Sequence, residues 1–154
     1  MSKPVVVTRN DRVWPTVRSA PLRLARTDVI TTGSTLTDRQ DATFTVRAGL
    51  ADSTCYTFES VNYPGRFLRH AAYRLQTATN DGTTTFQQDA TFCAQPGLNG
   101  GSGNVSLESF NYQGYYWRHY AEAVYIATNG GGNTWDNPGG FNADATWNNA
   151  TPLG

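Results

Sequence analysis

Residues 57–70 read TFESVNYPGRFLRH, and residues 106–119 repeat this run as SLESFNYQGYYWRH at a constant offset of 49 residues. The Glu, Ser, Asn, Tyr, Gly, Arg and His of the first run all recur in the second. Self-similarity at a fixed period is typical of a fold assembled from equivalent units. This repeat therefore decides the fold class.

A second motif, Asp-Ala-Thr followed by an aromatic residue, begins at Asp41, Asp89 and Asp144, with spacings of 48 and 55 residues. Together the two motifs predict three units of about fifty residues, at approximately residues 13–54, 55–103 and 104–154. Residues 1–12 match no repeat, and we expect them to be a peripheral arm or a cloning remnant.

The first unit matches the repeat less well than the other two units do. Residues 16–19 (TVRS) match residues 57–60 (TFES), but the loop that follows is five residues shorter, so Leu24 falls where His70 and His119 stand.

Composition and turn residues indicate an all-β chain. Only 16% of the 154 residues are charged and 12% are aromatic. Short β-rich runs alternate with turn sequences such as NYPG at 62–65 and NDG at 80–82. We predict about four strands per unit. Residues 22–30 come nearest to a helical pattern, but their register favours a strand. Closing the sheet removes its exposed edges, which favours a pseudo-threefold barrel, and three blades are too few for a propeller.

Charge and hydropathy exclude several functions. Twelve basic residues balance twelve acidic ones, which predicts no nucleic-acid partner and no anionic membrane partner. The apolar runs are too short to span a bilayer, and no signal-peptide core is visible, so a secreted form would have lost its leader.

The paired motifs resemble those of the AbfB domain, the arabinofuranose-binding module of carbohydrate-binding module family 42. The likeness covers roughly residues 13–153. It implies a β-trefoil with one potential pocket per unit. Such a module is secreted and binds arabinofuranosyl side chains of arabinoxylan or arabinan, in plant cell walls, without cleaving them. We expect a monomer that is attached to, or derived from, an α-L-arabinofuranosidase.

By the same resemblance, the motif His and Asp hold the sugar. The implied pairs are His70 with Asp89 and His119 with Asp144, while Leu24 with Asp41 has lost its His, so the first pocket is expected to be dead or weak. A carboxylate can accept hydrogen bonds from two hydroxyls, and an imidazole can donate and accept.

An aromatic wall would complete such a clamp against the C–H face of a sugar. The candidates are Tyr63 and Tyr112 on the turns and Tyr73 and Tyr120 just past each His. Trp135 either stacks on a neighbouring sugar or packs on its own loop.

Several site residues also have structural interpretations. Each motif Asp can cap a turn, and each His can be a hydrogen-bonded core residue. We leave Glu59 and Glu108 out of the site as salt-bridge or surface residues. We assign Arg69 and Arg118 a scaffold role because neighbouring side chains in a strand point to opposite faces.

Cys55 and Cys93 fit either a disulfide or two buried thiols. In a trefoil the strands that carry them lie next to each other, which favours the disulfide.

No motif for hydrolysis, phosphate binding or zinc binding is present, so we predict no catalytic residue, no metal and no cofactor. One Asp per unit also differs from the paired carboxylates of a glycosidase. Two alternatives stay open: a lectin for another sugar such as galactose, and a protein-binding or inhibitor trefoil.

Overall fold

The computed structural model describes residues 3–9, 15–18, 24–150 and 152, and this part contains twelve strands and three short α-helices. The strands are β1 (Lys3–Arg9), β2 (Pro15–Arg18), β3 (Arg26–Val29), β4 (Thr43–Ala48), β5 (Tyr56–Ser60), β6 (Arg66–Ala71), β7 (Arg74–Thr79), β8 (Phe92–Pro96), β9 (Val105–Ser109), β10 (Tyr116–Tyr120), β11 (Ala123–Ala127) and β12 (Trp147–Ala150). The helices are α1 (Leu36–Asp41), α2 (Thr84–Asp89) and α3 (Phe141–Asp144), with one 3-10 turn at Thr134–Asp136.

Six strands form a closed antiparallel ring in the order β1, β4, β5, β8, β9, β12 and back to β1. The other six form three hairpins, β2–β3, β6–β7 and β10–β11. The hairpins meet one another through β11 with β3 and with β7, and through a bridge between Leu24 and Gln76. This arrangement confirms the all-β class, the four strands per unit and the pseudo-threefold barrel.

The expectation of a peripheral N-terminal arm is wrong for Lys3–Arg9. These residues form β1, which pairs with β12 on one side and β4 on the other. Val7 is fully buried in the core. The run shares no motif with the other units. Its Val7 takes the core position that Phe58 and Leu107 take in those units.

The register of the first unit also differs from the prediction. Val17, Leu68 and Trp117 are all fully buried at the same point of their hairpins. Arg18 therefore corresponds to Arg69 and Arg118. The alignment of TVRS (residues 16–19) with TFES (residues 57–60) matched β2, the second strand of the first unit, to β5, the first strand of the second unit. This error created the apparent five-residue deletion.

Three short helices precede the strands β4, β8 and β12, and the sequence analysis did not predict them. At four to six residues they are too short to show a helical period. The local signal is the N-cap: Thr35 and Thr83 each accept a hydrogen bond from the backbone N–H three residues later. Each helix ends on the Asp of the Asp-Ala-Thr motif.

The core consists of one residue from each unit at successive levels of the barrel. Its fully buried members include Phe44, Phe92 and Trp147 at one level and Ala25, Leu75 and Val124 at another.

Cys55 and Cys93 form the expected disulfide between β8 and the residue that precedes β5, with Cα atoms 4.5 Å apart. Because 38 residues separate the two cysteines, the bond contributes about 4 kcal/mol in a chain-entropy account. Within the described residues, no helix is long and apolar enough to cross a membrane.

Candidate functional site

The Asp-Ala-Thr motif places one carboxylate at the same point of every unit. Asp41, Asp89 and Asp144 are each the last residue of a short helix. The Ala that follows is fully buried, and the Thr donates a hydrogen bond to the carbonyl four residues earlier, at 2.6–2.7 Å. The motif therefore encodes a helix end with a fixed carboxylate, and not a turn capped by the Asp.

Each carboxylate is paired with the arginine of the neighbouring hairpin. Arg18 Nη2 lies 3.2 Å from Asp41, Arg118 Nη2 lies 3.1 Å from Asp144, and Arg69 pairs with Asp89 in the same way. A negative charge at the C-terminal end of a helix opposes the helix dipole, so a cation is needed to hold it there. The arginines therefore hold the carboxylates in place. The expectation that each Arg points to the face opposite the following His is wrong, because both side chains contact the same Asp.

In the second unit the structure brings His70 and Asp89 together. His70 is 4% exposed and Asp89 is 6% exposed. His70 Nε2 lies 3.4 Å from Asp89 Oδ1 and 2.8 Å from the side-chain oxygen of Asn111. Burial is the main cause that lowers the pKa of His70 below 6.5, against the opposing effect of the Asn111 hydrogen bond. The imidazole is therefore neutral at neutral pH.

Asn111 joins this pocket from the third unit, and the sequence analysis did not assign it. Its amide nitrogen donates to Asp89 Oδ1 at 2.8 Å, and its oxygen accepts from Ser109 at 3.1 Å. The neighbouring Tyr112 packs edge-on to the His70 ring, with centroids 5.0 Å apart. The side chains that surround His70 therefore come from two units. The recurrence of Asn-Tyr at 62–63 and 111–112 was the available signal.

In the third unit, His119 Nε2 lies 3.1 Å from Asp144 Oδ1. The Asp144 side chain is 27% exposed, so this pair is more open to solvent than the pair in the second unit. Burial acts to raise the pKa of Asp144, but the hydrogen bonds and positive charges of His119 and Arg118 outweigh it and lower the pKa below 3.8. The carboxylate is thus ionised and able to accept hydrogen bonds.

Arg118 also orders the loop beside this pocket. The guanidinium is almost fully buried and donates to the carbonyls of Trp135, Asn137 and Gly139 as well as to Asp144. One side chain thus fixes both the loop and the carboxylate.

The assignment of Leu24 as the degenerate partner of Asp41 is wrong. Leu24 is 37% exposed and bridges to Gln76 at the junction of the hairpins. The position after Arg18, which corresponds to His70 after Arg69, is Ser19, and residue 19 lies outside the described residues. Asp41 is nearly buried, with Arg18 on one oxygen and the Asn62 amide 2.5 Å from the other.

The four candidate tyrosines are distributed over all three units. Tyr112 and Tyr73 both lie beside His70, with ring centroids 5.9 Å apart. Tyr63 follows Asn62, which contacts Asp41. Tyr120 packs on Arg118 beside the third unit's pair. The Asn-Tyr turns of the second and third units thus reach the carboxylate of the preceding unit.

Glu59, Glu108 and Trp135 each contact other parts of the protein. The carboxylates of Glu59 and Glu108 accept from the backbone N–H groups of Gly65 and Gly114 at 3.0 and 2.8 Å, and so they brace the turns. Trp135 stacks on Tyr125, with centroids 4.3 Å apart. In the described part of the chain no group of three or more His, Cys, Asp or Glu side chains has an arrangement that could hold a metal ion.

The ring of six strands capped by three hairpins, with a carboxylate held in each unit, defines a β-trefoil. Two solved trefoils of low identity have the same fold: the BEL β-trefoil (17% identity, TM-score 0.63, 95% of this chain and 90% of that one) and SeviL bound to asialo-GM1 saccharide (9%, 0.65, 97% and 98%). Residues 16–149 match the family described as the alpha-L-arabinofuranosidase B (ABFB) domain. The chain belongs to this AbfB family, as the repeat motifs predicted.

Its relatives are longer proteins. Probable alpha-L-arabinofuranosidase B of Aspergillus fumigatus is 51% identical over 79 residues, which are 51% of this chain and 16% of that protein. The enzyme of Aspergillus oryzae is 52% identical over 67 residues, 44% of this chain and 13% of that one. A crystal structure of arabinofuranosidase complexed with arabinofuranosyl-alpha-1,2-xylobiose covers 99% of this chain at 36% identity and a TM-score of 0.93. The present chain spans 31% of that structure.

Proposed function

We propose that the chain is a non-catalytic carbohydrate-binding module that holds arabinofuranosyl side chains of arabinoxylan or arabinan in two pockets. The observation that carries the proposal is the pairing of an imidazole with a carboxylate at two equivalent positions, His70 with Asp89 and His119 with Asp144. The chain belongs to the AbfB family, and the relatives it matches are alpha-L-arabinofuranosidases. We therefore assign arabinofuranose as the sugar.

The chemistry of each pair suits a neutral sugar. Each carboxylate uses part of its accepting capacity on an arginine and keeps lone pairs for sugar hydroxyls. The imidazole can donate to or accept from a further hydroxyl. The tyrosine ring beside His70 offers an apolar face to the C–H groups of the sugar.

A binding role without catalysis fits the placement of the carboxylates. A glycosidase needs two carboxyl groups at one site. Here each motif Asp belongs to a different unit and is held by its own arginine. The chain also spans 16% of the length of the first relative it matches, so a catalytic domain would be a separate part of such an enzyme.

In this proposal the first unit does not bind a sugar. Arg18 and Asn62 hold Asp41 as Arg69 and Asn111 hold Asp89, so the difference is the missing imidazole: the position equivalent to His70 is Ser19 in the sequence. A secreted monomer is part of the same proposal, since the disulfide Cys55–Cys93 suits an oxidising compartment.

The test is isothermal titration of the purified domain with arabinofuranosyl-α-1,2-xylobiose. The variants are His70→Ala, His119→Ala and the double variant, with Leu24→Ala as a matched control, since Leu24 is exposed and outside both pockets. We expect about two sites in the parent and the control, one in each single variant and none in the double variant.

Two outcomes would contradict the proposal. No heat from a folded parent protein would exclude arabinofuranosyl binding, and a galactose-terminated oligosaccharide would then be titrated to test the lectin alternative. Unchanged stoichiometry in the double variant would move the site away from the His/Asp pairs.

A further inference from the structure

Five aromatic side chains form a continuous cluster that starts beside His70. We name this cluster the aromatic platform, and its members are the exposed Tyr112 and the partly buried Tyr73, Tyr115, Tyr125 and Trp135. Tyr112, which packs on His70, lies 5.9 Å from Tyr73 and 5.7 Å from Tyr115, measured between ring centroids. Tyr73 also stacks near Tyr115 at 5.9 Å and lies 6.3 Å from Trp135, which in turn stacks on Tyr125.

The hydroxyl groups of the platform are free to bind a ligand. Among the described residues, the hydroxyls of Tyr73, Tyr112 and Tyr115 make no hydrogen bond, and none of them is a buried atom without a partner. Tyr112 is 42% exposed. Rings with exposed hydroxyls at their edges offer both an apolar face and hydrogen-bonding groups, and a sugar ring has the same combination.

Tyr73 occupies a backbone conformation that is unfavourable for its type. It is the second residue of the two-residue turn between β6 and β7, and Ala72 and Tyr73 have φ values of 46° and 66°. Such turns prefer Asn and Gly because a bulky side chain is strained at positive φ. The equivalent turn of the third unit has the same conformation at Ala121 and Glu122, so the turn is a feature of the fold, and the aromatic ring that it directs beside His70 is what distinguishes the second unit.

The two ends of the platform lie at different places. Tyr73 and Tyr112 lie at the His70–Asp89 pair, whereas Trp135 lies in the loop that Arg118 orders beside Asp144. The turn equivalent to that of Tyr73 carries Glu122 in the third unit, with φ of 62°. In the sequence, Asp11 and Arg12 stand at the repeat positions of Asn111 and Tyr112, and both lie outside the described residues. The two pockets therefore differ in their surroundings although their His/Asp pairs are equivalent.

We infer that the aromatic platform is a second subsite, which binds a pyranose ring of the main chain next to the side-chain sugar held at His70 and Asp89. This inference rests on the proposed function. A main-chain residue is directly bonded to the side-chain sugar, and Tyr112, which packs on His70 and is exposed, offers it an aromatic contact. The His70 pocket then recognises a branch point, whereas the His119 pocket recognises the side-chain sugar alone.

The test compares two ligands by isothermal titration in a His119→Ala background, where only the His70 pocket remains. The ligands are methyl α-L-arabinofuranoside and arabinofuranosyl-α-1,2-xylobiose. We expect the branched ligand to bind about five- to tenfold more tightly, in the range that a few aromatic contacts provide.

The diagnostic variant is Tyr73→Asn, which removes the ring and supplies a residue that suits the positive φ. Because the ring also packs against the core, thermal unfolding of the variant is measured beside the titration. We expect it to reduce the ratio of the two affinities to about one. Glu122→Asn makes the same change in the equivalent turn of the third unit and should leave the ratio unaltered.

The possible failures are distinguishable. Equal affinity of the two ligands, or a ratio that survives Tyr73→Asn, overturns the platform and leaves the proposed function standing. Binding of neither ligand by the folded His119→Ala protein, together with none by the parent, overturns the proposed function and this inference with it.

Discussion

At the scale of single residues, the two His/Asp pairs have the same composition and different environments. His70 is enclosed by Asp89, Asn111 and Tyr112, whereas the carboxylate opposite His119 is partly exposed. The first environment keeps an imidazole neutral because burial penalises its charged form. The equivalence of the pairs in sequence therefore does not extend to their electrostatics.

This burial predicts a dependence of stability on pH. Because the pKa of His70 is lowered in the folded protein, the unfolded chain binds more protons, and the free energy of unfolding decreases as pH falls below 6.5. The carboxyl groups with lowered pKa lose their contribution only below 3.8 and do not interfere. We expect the Tm to fall between about pH 7.5 and about pH 5, and to fall less in His70→Gln. Parallel Tm curves for the two proteins would contradict the assignment.

Arg118 provides a second prediction at this scale. Its side chain is 2% exposed and supports three carbonyls and Asp144, whereas the side chain of Arg69 is 21% exposed. Removal of this guanidinium leaves three loop carbonyls as well as Asp144 without their donor, and we expect Arg118→Met to lower the free energy of unfolding by about 3–5 kcal/mol. Arg69→Met is the matched control and should cost less. Denaturant unfolding of the two variants checks the order, and equal losses would contradict it.

At the scale of elements, each short helix ends at the Asp of the Asp-Ala-Thr motif and so sets the position of its carboxylate. A helix of six residues cannot be stable by its own hydrogen bonds, so its caps and its tertiary contacts must define it. In α2, Thr83 Oγ1 accepts from the Phe86 N–H at 3.1 Å and donates to Asp81 at 2.6 Å, while the Phe86 ring is buried. The position of Asp89 therefore depends on a cap six residues away.

Removal of this cap should be measurable. We expect Thr83→Ala to lower the free energy of unfolding by about 1 kcal/mol, because the Phe86 N–H loses its acceptor. Thr83→Ser keeps the hydroxyl and should stay within about 0.5 kcal/mol of the parent. Urea denaturation distinguishes the variants, and a loss as large in Thr83→Ser as in Thr83→Ala would show that the methyl group matters and not the cap.

At the scale of the whole molecule, closure of the six-stranded ring joins the first described strand, β1, to the last one, β12. The first strand, β1, lies between β4 and β12, so the N-terminal segment joins the first and last units. Closure also removes the edges at which sheets aggregate. The same symmetry places the two proposed pockets on one rigid scaffold, an arrangement in which a branched polymer can engage both and gain avidity.

Deletion of residues 1–9 tests this closure. It would open the ring, expose the edges of β4 and β12 and remove Val7 from the core. A buried Val side chain alone contributes about 1.5–3 kcal/mol, so we expect a loss above about 3 kcal/mol and a broad thermal transition. Deletion of residues 1–2 is the control and should have little effect. A truncated protein that melts cooperatively at the parent's Tm would show that β1 is dispensable.

The sequence by itself determined the fold class and the threefold repeat, because turn residues and motif residues are local properties that recur at a fixed spacing. The resemblance that the same motifs carry implied the family and the His/Asp pairs. The sequence did not place β1, since its residues match no repeat, and the misplaced first unit then put Leu24 where the register has Ser19. Only the tertiary structure decided that Asn111 and Tyr112 belong to the pocket of the preceding unit. A contact across 41 residues of chain depends on how the units turn about their common axis, and no local pattern records that rotation.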